Sequence, residues 1–173
     1  MITTLVDNCN PISQDFYDNQ INNLQLHKLT CPCGRSGCLS IHGYYKRKVK
    51  SGLIIIWLRV RRMICAFCKT THALLLSSMV PYSQIPLQHH VEILIAHETS
   101  KDYSSLMEAH PTIDESNLRY IIKGYRRHWS QRLLATALYL GLTATFICTC
   151  FSHFNRQFMQ IKRTPNQLFV NTT

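Results

Sequence analysis

Five of the eight cysteines fall in two clusters, and these constrain the fold more than any other feature. "CPCGRSGC" carries Cys31, Cys33 and Cys38, and "CAFC" carries Cys65 and Cys68. Structural zinc takes a tetrahedron of soft ligands, commonly as two pairs on facing turns. Cys65-x2-Cys68 is the cleaner pair. On the other side three thiols compete for two seats. Cys33 and Cys38 have a permitted spacing, whereas Cys31 and Cys33, with one residue between them, are harder to seat together. The expected ligands are Cys33, Cys38, Cys65 and Cys68 around one structural Zn2+, with Cys31 competing for one seat. His42 and His72 are not needed as ligands when thiols suffice. The enclosed strands are too small to build their own core, so metal binding is expected to be part of their folding free energy.

Between the clusters, residues 43–64 have the pattern of a β-hairpin turning at Ser51-Gly52. On the second arm Ile54, Ile56, Leu58, Val60 and Ile64 alternate with Ile55, Trp57, Arg59 and Arg61, so one face is apolar and the other aromatic and basic. On the first arm Tyr44, Lys46, Lys48 and Lys50 share a face, with Arg47 in the same basic run. A lone strand tryptophan usually belongs to the core; only Arg59 and Arg61 place Trp57 on a recognition face.

The formal net charge is +10 and is segregated. No Asp or Glu occurs between Asp18 and Glu92, and none follows Glu115. Segregation of this kind favours an acidic partner over two merely solvated faces. The N-terminal stretch has neither a basic n-region nor an apolar core, so no signal peptide is expected. A cytoplasmic location with reduced thiols follows, in which clustered cysteines read as metal ligands rather than disulfides. Cys9 stands alone and is expected to be a spectator.

Residues 1–28 read as an irregular polar arm with one weak helix near 15–26. Helices are expected at 87–98 and 103–109, the second ended by Pro111. Thr112 and Glu115 have capping-box spacing and should open a longer helix, with Leu118, Ile121, Ile122, Tyr125, Trp129 and Leu133 on its apolar face. Residues 133–151 lack charge over about the length of a bilayer span. Their marginal hydropathy favours two buried helical pieces meeting at Gly141 over a membrane segment. The expected class is α+β: a zinc ribbon at 29–80, an all-α helix-turn-helix-like region at 81–132, and an apolar helical segment with a basic tail at 133–173.

The cysteine knuckle, "HGYYKR", the hairpin, "CAFCKTTHALL" and "VPYSQIP" together resemble a bacterial zinc-ribbon family of unknown function. That family is related to the N-terminal zinc-ribbon and helix-turn-helix regions of insertion-sequence transposases. The resemblance covers roughly residues 29–129 and extends to the tail "FSHFNRQFMQIKRTP"; "THALL" followed by "VPYSQ" is its more specific part. It implies a zinc ribbon with a helix-turn-helix that binds DNA, and it marks Cys33, Cys65 and Cys68 as ligands. The usual C-P-x-C-G knuckle is shortened here to Cys31-Pro32-Cys33-Gly34, which leaves the fourth ligand open.

A transposase core needs three dispersed carboxylates around two metal ions. The acids from Glu92 to Glu115 are closely spaced and fall mostly on expected helix surfaces, and no nucleophile elbow, phosphate loop or His-Glu-x-x-His motif occurs. A non-enzymatic DNA-binding protein is therefore expected. Lys46, Arg47, Lys48, Arg59 and Arg61 would lie along the ribbon. Ser116, Asn117, Tyr120 and Lys123 would point towards a groove, with Arg119, Arg126 and Arg127 nearer the backbone. The alternatives are a zinc-ribbon interaction module serving a protein partner in a transposition or transcription complex, and RNA binding through the basic face.

Overall fold

The computed structural model describes residues 1–6, 11–162 and 168–171; the Cys9 and Arg163 positions lie outside them. The fold is α+β, with a five-stranded sheet and several helices. The strands are β1 (Ile2–Leu5), β2 (Leu39–Ser51), β3 (Ile54–Cys65), β4 (Thr71–Leu76) and β5 (Leu168–Asn171). The helices are α1 (Gln14–Asn22), α2 (Leu87–Glu98), α3 (Ser104–Ala109), α4 (Glu115–His128), α5 (Ser130–Ala135) and α6 (Ala144–Phe154).

The sheet order is β2-β3-β4-β1-β5. The β2–β3 and β3–β4 pairs are antiparallel, whereas β1 is parallel to both β4 and β5. The N-terminal segment, expected to be an irregular arm, thus supplies an interior strand, with Ile2 completely buried. The tail likewise adds a strand through β5. Both runs are four residues long and acquire partners only from remote parts of the chain. Ser13 caps α1 by accepting from the Phe16 N–H at 3.1 Å, and α1 buries Tyr17 and Ile21. Tyr17 is tied to the sheet twice: its hydroxyl donates to the Leu74 carbonyl (2.9 Å) and accepts from the Arg61 N–H (2.9 Å).

The long hairpin forms where alternation places it, with Ser51 opposite Ile54 and the turn at Gly52–Leu53 rather than Ser51–Gly52. Leu58 and Val60 point into the core; fully burying side chains of this kind is worth about 1.5–3 kcal/mol each. Nearer the cysteines the inward residues are Met63 and Cys65, out of phase with Leu58 and Val60, and Ile64 is only half-buried. The change of phase lies beside a β-bulge where the register shifts between Ile41 and Gly43. At the tip Val49 and Gly52 are buried, whereas Ile54 and Ile55 face outward and are exposed.

The second core joins the helices through Leu87, Val91, Leu94, Leu118, Ile121, Tyr125 and Trp129. Trp129 is fully buried and packs edge-on against Phe154 and Phe158 at 5.6 and 5.0 Å. The apolar periodicity of the long helix holds, with Ile122 half-buried, but α4 ends at His128, Trp129 caps it and Leu133 belongs to α5. Its capping box is also shifted. Asp114 accepts from the Asn117 N–H at 2.9 Å, and Asn117 Oδ1 accepts from the Asp114 N–H. Thr112 instead bonds the hairpin turn, its N–H and hydroxyl reaching the Gly52 carbonyl at 3.1 and 2.6 Å.

The uncharged stretch divides into α5, a connection over 136–143 and α6, so Gly141 lies within the connection rather than at a junction of two helices. Among the described residues, no helix is long and apolar enough to cross a membrane.

Candidate metal centre and basic hairpin face

The loop before β2 folds tightly. The Cys31 N–H donates to the Arg35 carbonyl (2.7 Å), the Gly34 N–H donates to the Cys31 carbonyl (2.8 Å), and Gly34 adopts φ +91°. A glycine suits that backbone because it has no Cβ to clash. This turn has Pro32 and Cys33 at its centre and brings the Cys31 and Cys33 thiols to one side, so the single residue between them does not keep them apart. At the end of β3 the Lys69 N–H closes on the Cys65 carbonyl (3.0 Å), with Lys69 in the left-handed region at φ +58°. This turn carries Cys68 back beside Cys65.

The thiols of Cys31, Cys33, Cys65 and Cys68 therefore converge, all lying within 4.8 Å of one another, and could hold a metal ion. The sulfur separations are 3.7 Å for Cys31–Cys68 and 3.9 Å for Cys33–Cys65. A Zn–S bond near 2.3 Å requires a tetrahedral S···S edge of about 3.8 Å, so both distances fit.

Cys38, ranked ahead of Cys31 from spacing, lies outside this mutually close quartet. Its thiol is 3.4 Å from Cys65 Sγ but donates to the Arg35 carbonyl at 3.2 Å. His72, set aside because thiols suffice, is buried with Nε2 3.4 Å from Cys31 Sγ. Cys38 and His72 thus flank the cluster as hydrogen-bonding neighbours, the kind of surroundings that orient metal ligands. His42 is exposed on β2.

The electrostatics separate the thiols. Burial raises the Cys65 pKa, but the Cys68 N–H, the Cys38 thiol and the Phe67 N–H outweigh it and bring the group down to about 6. The Thr70 hydroxyl and N–H lower that of Cys68. Burial pushes up Cys31 and Cys38. The β3–β4 turn therefore favours thiolate, the form that ligates metal.

Three cross-strand pairs build the basic face: Tyr44 opposite Arg61, Lys46 opposite Arg59, and Lys48 opposite Trp57. The Arg59 guanidinium stacks over the Tyr44 ring at 4.7 Å from its centroid. Trp57 is 62% exposed, so it does not serve the core. Arg61 also donates to Asn22 Oδ1 at 2.7 Å.

Arg47 does not share this face. Its guanidinium donates to the Val80 and Ser83 carbonyls, both at 2.7 Å, and holds the segment before α2. The alternation that groups Lys46 with Lys48 necessarily sends Arg47 to the other side. Lys50 is also engaged: its ammonium donates to Asp114 Oδ2 (3.2 Å) and Asn117 Oδ1 (2.6 Å).

On α4, Ser116 donates to Asp114, and Asn117 is committed to the cap and to Lys50. Arg119 pairs with Glu115 at 2.6 Å, and Arg126 Nε donates to His97 Nε2 at 3.0 Å. Tyr120, Lys123 and Arg127 are exposed.

Residues 31–116 match the model of a family described as a domain of unknown function (DUF6431). The matched span takes in the four clustered thiols, the hairpin, α2, α3 and the start of α4. No curated protein and no solved structure matches the chain.

Proposed function

We propose that this chain is a DNA-binding protein in which a zinc ion, held by Cys31, Cys33, Cys65 and Cys68, clamps the base of a hairpin whose outer face lies against nucleic acid. The observation that carries the reading is the cross-strand set Tyr44–Arg61, Lys46–Arg59 and Lys48–Trp57, cations and aromatics on one face of one long ribbon. Cations neutralise phosphates and release condensed counterions, and a two-stranded ribbon fits the width of a major groove. The knuckles and hairpin form the zinc ribbon in this reading, and α3 with α4 the helix-turn-helix-like pair. Because Asn117 and Ser116 are already engaged at the α4 cap, α4 contributes phosphate contacts through Lys123 and Arg127 rather than base readout. The resemblance to the N-terminal regions of insertion-sequence transposases points the same way.

The exposed Leu53, Ile54 and Ile55 at the hairpin tip favour a second reading, a protein-interaction module in a transposition or transcription complex. Fluorescence anisotropy of the zinc-loaded protein with labelled duplex DNA, titrated at several salt concentrations, separates the two. Binding that weakens linearly on a log–log salt plot supports DNA. Absence of binding at low salt rejects it and favours the protein partner. Preferential competition by single-stranded RNA would transfer the basic face to RNA.

A further inference from the structure

A second convergence of metal-ligating side chains lies far from the thiols, at the other end of the hairpin. His89 and Glu92 are three residues apart on α2, hence on one helical face. His110, just after α3, closes on the same carboxylate. Glu92 Oε2 lies 2.9 Å from His89 Nδ1 and 3.1 Å from His110 Nε2, and the two imidazole rings are 4.2 Å apart, tilted by 50°. Gln88 Nε2 donates to the other carboxylate oxygen at 2.8 Å, leaving Oε2 to the two rings. The two histidine side chains are only 10% and 20% exposed.

The surroundings are shaped around this group. The backbone of the hairpin turn passes so close that a Cβ on Gly52 would stand 2.8 Å from His110 Nδ1 and 3.4 Å from His89 Nε2. Thr112 fixes the turn there through its two bonds to the Gly52 carbonyl. Beside His89 lies a cavity of about 210 Å³, lined in part by Ser51, Ser78, Pro86 and Gln88, with room for water.

We propose that His89, Glu92 and His110 form a second metal site, for zinc or a similar imidazole-seeking divalent cation, that ties α2 to the end of α3 against the hairpin turn. One ligand atom from each residue lies within 4.8 Å of the other two. Ligand bonds of about 2.0–2.2 Å to nitrogen and oxygen need a tetrahedral edge of about 3.4 Å, so a cation has only to part Glu92 Oε2 from each of the two nitrogens by a few tenths of an ångström. Two imidazoles and a carboxylate suit zinc and its transition-metal neighbours better than magnesium or calcium, which prefer all-oxygen shells. Water from the adjacent cavity completes the coordination. Gln88 serves as the outer partner that orients the carboxylate.

The test uses full-length protein without a polyhistidine tag, stripped of metal and titrated with Co2+ and separately with Zn2+. The expected result is saturation at two equivalents per chain. One equivalent brings thiolate-to-cobalt charge-transfer absorption; the other does not, and it shifts the imidazole proton resonances of His89 and His110 paramagnetically. Glu92→Gln with His110→Gln should reduce the content to one equivalent and leave the thiolate absorption unchanged. A wild-type chain that saturates at the thiolate equivalent alone overturns the site and leaves an ion pair. So does a second equivalent that survives the double substitution or shifts other histidines instead. If the double variant fails to fold, the wild-type stoichiometry and its resonances decide. Loss of the thiolate absorption alone would count against the cysteine site and not this one.

Discussion

Cys31 Sγ and Cys68 Sγ lie 3.7 Å apart, one from the loop before β2 and the other from the turn after β3, and neither has a sequence neighbour that would bring them together. The separation matches a zinc tetrahedron, so the proposed site takes Cys31 as a ligand and leaves Cys38 as a bystander. Cys31→Ser is therefore expected to lose stoichiometric zinc, whereas Cys38→Ser retains it. Metal content by mass spectrometry under native conditions distinguishes them, and zinc retained by Cys31→Ser but lost from Cys38→Ser would reverse the assignment. Cys65→Ser and Cys68→Ser should each lose metal and, with it, the hairpin's thermal transition.

The basic face predicts how DNA affinity depends on salt. Each phosphate contact removed should flatten the log–log slope by about 0.9. Lys46→Ala with Arg59→Ala should thus reduce the slope by about 1.8 if both ends of that cross-strand pair sit on phosphates. Arg47→Ala should leave the slope unchanged while lowering the melting temperature, because Arg47 serves the Val80 and Ser83 carbonyls. A slope that responds to Arg47 and ignores Lys46 and Arg59 would remove the hairpin face from DNA.

Asp114 gives a pH signature. The Ser116 hydroxyl, the Asn117 N–H and the Lys50 ammonium hold its carboxyl down at about 2, against an ordinary value of 3.8. A depressed folded-state value stabilises the protein at pH above the unfolded value and is lost as pH falls towards the folded one. The melting-temperature difference between wild type and Asp114→Asn should be full above about pH 5 and shrink between about pH 4 and pH 2. Because asparagine is itself a good cap, the difference reports chiefly the charge facing Lys50. A difference independent of pH would show that the carboxylate is not what matters.

Gly52 is expected to resist substitution for two reasons that act together. Its φ is +70°, and a Cβ would meet His110 at 2.8 Å. The left-handed backbone alone costs a side chain roughly 1–2 kcal/mol. Gly52→Ala should destabilise by at least about that much in urea unfolding, whereas Leu53→Ala, at the exposed neighbouring turn position, should fall within about 0.5 kcal/mol of wild type. Equal effects would mean that the turn does not pack on the histidines as described.

Signals carried by adjacent residues were legible in the sequence. Alternation over 54–60 marks the hairpin arm, the apolar run after Pro86 marks α2 at its observed bounds, and 3.6-residue spacing marks the buried stripe of α4. The two cysteine clusters pointed to a site able to hold a metal, and Cys33, Cys65 and Cys68 fall within the quartet that could hold one. Each of these signals arises from periodicity or from short ligand spacing, which a chain carries locally. The tertiary structure decided what depends on remote partners. It placed β1 and β5 side by side in the sheet, two four-residue strands too short to show their own period. It chose Cys31 over Cys38, because the fold of the knuckle loop rather than the count of intervening residues directs a thiol. It turned Arg47 inward to two carbonyls and bound Asn117 to its own helix cap, engaging within the protein two residues expected on DNA. It also brought His110 to the His89–Glu92 pair beneath Gly52, a residue that no spacing rule connects to that pair. Contacts of this kind exist only once the hairpin has closed on the helices, so composition and pattern cannot announce them.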